Sequence, residues 1–320
     1  MDTLTKPVSV SLPVAVQYAK LVNLADLLFK EAKKAKDTAT QLNPSLQAYK
    51  DLCNNKDYQA LVDKDFLTNY NVLYNVQMND ILIPGNTDLV YYGFIAQNKS
   101  TKDYVVAIRG TENVLEAIAD AFFVPTTFKE FNNSSLVPSG FYDLYKSGLI
   151  VSPPDATSQI VPLLLTLVAA NPALMMPDAP NVQTVVAGHS LGASLATYYA
   201  AAAASGKGKG LDLCVYTYAS PMSGNTTFAD TYNSSVTESY RIHNVADIVP
   251  GLPQYLENGQ NIYTQVDQSY QIDSTKYPLV NVGAACAHQL PVYEYVLERL
   301  NGTDNPDILN FGNGNCRATS

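Results

Sequence analysis

The chain is short of bases, of cysteine and of histidine, and each shortage narrows what it can do. Twenty Lys and Arg stand against 29 Asp and Glu over 320 residues, a net charge of -9. A protein that neutralises phosphate backbones needs the opposite balance, so nucleic acid is not an expected partner. The same acidity gives no general attraction to anionic membranes. Charged residues make up only 15% of the chain and hydrophobic ones 47%, which argues against extensive disorder and for a sizeable core. The four cysteines, Cys53, Cys214, Cys286 and Cys316, show no C-x-x-C spacing, so no zinc or dithiol site is expected, and no cofactor is called for. A bridge between Cys286 and Cys316 stays open. So does a Cys-His pairing of Cys286 with His288, set against the ordinary reading of a lone Cys as a buried small hydrophobe.

Long apolar runs are also missing. The best, residues 161–170 (VPLLLTLVAA), is about half of the roughly 20 residues a bilayer requires, so no transmembrane segment is expected. The start, MDTLTKPVSVSLPVAV, has neither a basic n-region nor a continuous apolar h-region, so no signal peptide is expected. The default address is then cytoplasmic, or secreted if Met1 opens a mature protein.

What is present reads as alternating helices and strands. Residues 12–36 carry an apolar stripe through Val14, Tyr18, Leu21, Ala25, Leu28 and Ala32, with Pro13 in the first turn and lysines at the end, as a helix favours. A second helix is expected from Asn43-Pro44 to about Cys53. Residues 1–65 thus form an N-terminal helical extension of one domain spanning 1–320. DLVYYGFIAQ (88–97) and DYVVAIRG (103–110) read as a strand pair joined by a polar turn. Then follow a helix at SQIVPLLLTLVAA, a strand at VQTVVAG, a helix at GASLATYYAAAA, and strands at LCVYTYAS and ESYRIHN. That order predicts an α/β fold with a mostly parallel sheet and helices on both faces.

The strongest motif is Gly188-His189-Ser190-Leu191-Gly192. This G-x-S-x-G pattern stands where a predicted strand meets a predicted helix, the context a nucleophile elbow requires. A serine on so sharp a turn brings the residues two before and two after too close to carry side chains, a clash that Gly188 and Gly192 remove. The Leu191 N–H opens the helix and can stabilise an oxyanion. A serine nucleophile needs a base, and there are only three histidines. His189 shares the tight turn with Ser190 and cannot easily reach back to it. His288 lies on a loop before the last helix, which Pro291 opens, and is the expected base, with His243 as its rival. The expected acid is Asp247, just past the strand ending near Asn244; Asp230, Asp267 and Asp273 are weaker candidates.

With VVAIRGTE, FVPTTF…SGFYDLY, VVAGHSLGASLA, VYTYASPMSGN, RIHNVADIVPGLP and HQLPVYEY in this order, the chain resembles the class 3 (fungal-type) triacylglycerol lipase family over roughly residues 88–298. The resemblance implies an α/β-hydrolase fold and hydrolysis of carboxylic esters at a lipid–water interface. It gives Ser190, Asp247 and His288 the roles of nucleophile, orienting acid and general base, and Thr111 that of second oxyanion donor beside Leu191. A lid is expected directly after Thr111, at about 112–124. There Glu112, Glu116 and Asp120 share one helical face, while Val114, Leu115, Ile118 and Phe122 form an apolar side suited to an acyl site; a plain core-packing helix is the competing reading. Three departures from the family are the absence of Trp, the absence of an export signal, and cysteines that do not reproduce an evident fungal disulfide set. Other activities fit the same scaffold: a short-chain carboxylesterase, a feruloyl-type esterase, a phospholipase A, an acyltransferase, or a lipase-like binding protein.

Overall fold

Successive residues of the central strands face opposite cores, as the two-residue period of a strand requires. The computed structural model describes residues 9–79, 88–111, 123–156, 165–166, 182–205, 212–266, 268–311 and 315–318. Within them the strands are β1 (Tyr70–Asn79), β2 (Leu89–Asn98), β3 (Tyr104–Ile108), β4 (Pro125–Thr127), β5 (Leu136–Pro138), β6 (Leu149–Val151), β7 (Leu165–Thr166), β8 (Gln183–His189), β9 (Asp212–Tyr218), β10 (Gly224–Asn225), β11 (Glu238–Asn244), β12 (Leu256–Glu257), β13 (Gln260–Asn261), β14 (Tyr263–Thr264) and β15 (Ser269–Ile272). Nine of these make one sheet in the order β15-β11-β9-β8-β3-β2-β1-β6-β7. The half from β3 to β15 is parallel, and the β3-β2-β1-β6-β7 half is antiparallel.

The helices are α1 (Leu12–Lys34), α2 (Thr38–Leu42), α3 (Leu46–Asn54), α4 (Phe66–Asn69), α5 (Ser139–Lys146), α6 (Leu191–Ser205), α7 (Thr226–Ser235), α8 (Ala284–Ala287) and α9 (Leu290–Leu300). Val105, Ala107, Val185 and Ala187 pack into one core with α1, α3 and α9. Val106, Ile108 and Val186 turn the other way, into a core with α5, α6 and α7. Residues Leu191 to Ala202 of α6 are buried, most of them small, which lets the helix lie close to the sheet, while Leu195, Tyr198 and Tyr199 fill the core. Helix α1 is long and apolar enough to cross a membrane, but 61% of the relevant window is buried inside the protein, so its apolar surface serves the core. It also carries polar contacts inward: Lys20 pairs with Glu298 at 3.0 Å and Asn23 donates to Glu294 at 2.5 Å. Burial pushes the Glu294 carboxyl well above its ordinary range.

Several expectations need correction. The helix expected from Asn43-Pro44 begins only at Leu46, with the Ser45 side chain accepting the Ala48 N–H; Pro44 disfavours helical angles at the residue before it, and Asn43 accordingly lies outside the helical region at φ -146 and ψ 85. Strand β1 is absent from the sequence reading because its asparagines disguise it. Asn75 is fully buried yet satisfied by Tyr49 Oη at 2.7 Å and the Pro44 carbonyl at 2.7 Å. Leu165–Thr166, within the helix expected at 158–170, is an edge strand paired with β6; the rest of that segment lies outside the described residues apart from this pair. Helices α5 and α7 and the edge strand β15 are further elements the pattern did not reveal.

Candidate active site

The elbow is built as the glycine spacing demands. Strand β8 ends at His189, helix α6 begins at Leu191, and Ser190 between them holds a left-handed φ of 58°, a conformation a non-glycine residue keeps only when its surroundings enforce it. The enforcement is visible: the Ser190 N–H donates to the Tyr218 carbonyl at 2.9 Å, and the Ala193 N–H donates back to the Ser190 carbonyl at 2.9 Å. A Cβ on Gly188 would stand 2.2 Å from the Gly192 carbonyl oxygen, and one on Gly192 would stand 2.3 Å from that of Arg109. Ser190 is fully buried, at the positive end of α6.

His288 comes to this serine from 98 residues away, its Nε2 2.9 Å from Ser190 Oγ. Its Nδ1 lies 2.9 Å from Asp247 Oδ2. Because a carboxylate accepts, Nδ1 carries the proton and Nε2 is left to accept from the serine hydroxyl. Asp247 is anchored by both oxygens: Oδ1 accepts the Val249 N–H at 3.0 Å, and Oδ2 also accepts the Tyr293 hydroxyl at 2.8 Å. Both Asp247 and His288 are buried, so these bonds act away from bulk water. The arrangement can transfer a proton from a serine hydroxyl to an imidazole whose charge is stabilised from behind.

The other candidates are placed elsewhere. His243, on β11, is half-buried; burial and then the Arg241 charge pull its imidazole down to about 4, against the opposing pull of Gln271 and Asp247, and the nitrogen that meets Ser190 belongs to His288. His189 does not turn back to the serine. Its Nε2 lies 2.8 Å from the His288 carbonyl oxygen, so it is the protonated donor, and its ring is 4.9 Å from that of His288. Burial, then the neighbouring His288, holds the His189 imidazole well below its usual range, hence neutral. Asp230 is exposed on α7, Asp273 is used to accept the Thr275 N–H, and Asp267 lies outside the described residues. Cys286 is consumed in a disulfide with Cys316, Cα–Cα 5.4 Å, which removes the Cys286–His288 pairing.

Thr111, half-buried, borders a cavity of about 30 Å³ together with Gly110, His189, His288 and the α1 residues Asp26 and Lys30. Helix α1 therefore reaches the site, although its sequence shows no chemistry. Leu191, the other expected oxyanion donor, is buried at the head of α6. The expected lid residues Val114, Leu115, Ile118 and Phe122 lie outside the described residues. Among the described residues no group of three His, Cys, Asp or Glu is arranged to hold a metal.

Three residues of the site escaped the sequence reading. Tyr293 donates to Asp247 and accepts the Asn244 N–H at 3.0 Å, and it lies in the first turn of α9, the helix that follows His288. Asn244 ties the acid loop to the base loop, donating to the Ala287 carbonyl at 2.9 Å and to Ser274 Oγ at 2.9 Å. Arg109 is buried beneath the Thr111 loop, with Nη1 donating to the Gly110 carbonyl at 2.7 Å and its guanidinium 3.7 Å from the Phe29 ring centre. The signal for Arg109 was a charge next to an apolar strand end; Tyr293 and Asn244 gave none beyond their nearness to His288 and Asp247.

Comparison with known proteins places this geometry. Residues 105–257 match the family described as lipase (class 3). The chain is 34% identical over 183 residues to secreted mono- and diacylglycerol lipase A of Penicillium cyclopium, covering 57% of this chain and 52% of that protein. It is 28% identical over 240 residues to phospholipase A1-Igamma2, chloroplastic, of Arabidopsis thaliana, covering 66% and 45%. The chain thus spans about half the length of the curated relatives it matches. Among solved structures, Lip2 lipase of Yarrowia lipolytica superposes with a TM-score of 0.55 over 98% of both chains at 19% identity. Lipase from Rhizopus microsporus var. chinensis gives 0.54 over 83% of this chain and 76% of its own, at 18% identity. These likenesses identify the fold as α/β-hydrolase. The matched segment, which holds Ser190 and Asp247, is similar to the class 3 lipase family over 105–257.

Proposed function

We propose that this chain hydrolyses carboxylic esters of acylglycerols through an acyl-enzyme on Ser190. The observation that carries the reading is the unbroken line of hydrogen bonds from Ser190 Oγ through His288 to Asp247. Ser190 Oγ attacks the ester carbonyl while its proton passes to His288 Nε2. Asp247 stabilises the resulting imidazolium, and Tyr293 holds Asp247 in place. The tetrahedral oxyanion takes the Leu191 N–H at the head of α6, with Thr111 as the second donor. Collapse expels the alcohol, which takes the proton from His288. Water then attacks the acyl carbonyl while giving a proton to His288; collapse breaks the bond to Ser190 Oγ, which recovers that proton from His288, and the acid is released. With Ser190→Ala, turnover of p-nitrophenyl esters and of emulsified di- and triacylglycerol falls about 10⁶-fold with an unchanged melting temperature. Activity within tenfold of wild type sinks the reading.

A second reading, phospholipase A activity, is favoured by the match to the Arabidopsis phospholipase A1 over 66% of this chain. Phosphatidylcholine added to the same substrate panel separates the two. The amphipathic residues after Thr111 support a cover over the acyl site: Leu115→Asp with Ile118→Asp should depress long-chain hydrolysis about tenfold or more while sparing p-nitrophenyl acetate. A joint loss of both activities and of thermal stability points to a core helix instead. The Cys286–Cys316 bridge and the secreted relative support export over a cytoplasmic default, since such bridges persist in oxidising compartments. A reduced Cys286 and Cys316 in protein taken from its native source would contradict this.

A further inference from the structure

Where α1 approaches the active site it carries an ion pair amid otherwise apolar neighbours. Lys30 Nζ lies 2.6 Å from Asp26 Oδ2, one turn away, with the two side chains 26% and 23% exposed. The residues between and before them, Ala25, Leu27, Leu28 and Phe29, are buried in the core. A partly exposed pair of this spacing adds little to stability, so its place calls for another reason. The pair borders two spaces. The inner one, about 30 Å³, is also walled by Gly110, Thr111, His189 and His288. The outer one, about 230 Å³, is also walled by Tyr58, Asn310 and Phe311. Asp26, Lys30 and Pro291 line both, so the ion pair and the first turn of α9 stand between them.

The inner space is polar and adjoins the reacting atoms. Its size suits about one or two waters, and a cavity holds water only where polar groups can bind it. Here those groups are Asp26, Lys30, Thr111 and the His189 ring. His189 Nε2 is committed to the His288 carbonyl, which leaves Nδ1 as an acceptor. A Cβ added to Gly110 would stand 3.3 Å from that nitrogen and 3.1 Å from Ser190 Cβ. Gly110 therefore adjoins both the nucleophile and the cavity, and its missing side chain keeps the wall between them thin. His288 borders the cavity as well and meets Ser190 Oγ at 2.9 Å. An apolar void in this place would stay dry; the ion pair keeps it wet.

We propose that Asp26 and Lys30 line a rear water path, which brings the deacylating water to the acyl-enzyme from the α1 side. The inference rests on the reading of Ser190 as the acyl carrier. An acyl chain and the lipid it comes from exclude water from the side they occupy. Yet every turnover consumes a water, whose oxygen bonds the acyl carbon while its proton passes to His288 and Ser190 Oγ leaves. The path thereby makes α1 a determinant of reaction specificity: a wet rear favours the free acid, and a dry one favours acyl transfer to an alcohol that arrives with the lipid. Asp26→Leu with Lys30→Met closes it, because both new residues are apolar helix formers and the net charge is unchanged. The measurement is the ratio of octanoic acid to octyl octanoate formed from emulsified trioctanoin containing 1-octanol. That ratio is internal to one acyl-enzyme and does not depend on how much active protein is present. It should fall about fivefold or more in the double variant. With p-nitrophenyl acetate and methanol in water, where water also reaches the site from the open side, the acid-to-ester ratio should stay within about twofold. Lys30→Met alone should give a smaller fall in the emulsion, and it decides the matter if the double variant does not fold. An unaltered ratio in the emulsion overturns the path. So does an equal fall in both assays, since the substitutions then act on the site itself. A parent chain that forms neither product sinks the hydrolase reading and the path with it, whereas products in an unaltered ratio sink the path alone.

Discussion

The serine side and the acid–base side of the site meet at 2.9 Å but are constructed by opposite means. The serine stands on five consecutive residues, and its conformation is enforced by backbone: carbonyls of Gly192, Arg109 and Ile108 fill the space where side chains on Gly188 or Gly192 would lie. The acid and base come from separate loops after β11 and β15, held by side chains of Asn244, Ser274 and Tyr293 that bond across gaps of 30 to 49 residues. Backbone crowding tolerates no substitution, whereas a polar network loses its members one at a time. The two halves should therefore fail differently.

The largest effect is expected on the serine side. In Gly192→Ala the new Cβ meets backbone oxygens at 2.3 and 2.6 Å, and neither can move without shifting β3. We expect a loss of more than about 4 kcal/mol in denaturant unfolding, seen also as a collapse of soluble yield. A variant that melts with wild type would show that the elbow is softer than its geometry indicates. Tyr293→Phe probes the other half. It removes one donor to Asp247 and the acceptor of the Asn244 N–H, and we expect kcat to fall about tenfold with KM unchanged, alongside a loss of about 1–3 kcal/mol. A change confined to KM would place Tyr293 in substrate binding instead.

The smallest effect concerns His189, which bridges the two halves. Its folded pKa is depressed, by burial first and His288 second, so the native protein keeps it neutral while the unfolded chain takes up a proton below the ordinary value of 6.5. Its contribution is therefore present above pH 6.5 and lost as pH falls toward the depressed folded value. His189→Asn should lose stability less steeply than wild type below pH 6.5, by up to about 1.4 kcal/mol per pH unit. Parallel stability curves for the two proteins would show that His189 is protonated in the native state.

The same contrast explains which parts of the molecule could be read from its residues. Gly188, Ser190 and Gly192 are legible because their constraint is local, and strands such as Tyr104–Ile108 are legible because burial on both faces makes them continuously apolar. Asn75 hid a strand because its partners, Tyr49 and Pro44, are supplied from another part of the chain. Tyr293 and Asn244 looked like ordinary polar residues for the same reason: their partners are set by how the loops meet. Arg109 is an intermediate case, a buried guanidinium whose burial is explained by the rings of Phe29 and Tyr92 and by the Tyr91 and Gly110 carbonyls it donates to.

The central claim is that Ser190, activated by His288, carries the acyl group. Labelling the protein with a fluorophosphonate ester and mapping the adduct by peptide mass spectrometry tests it directly. A single adduct on Ser190, formed at least about a thousandfold more slowly in His288→Ala, is the predicted result. An adduct on another residue, or labelling of Ser190 that is indifferent to the loss of His288, would contradict it.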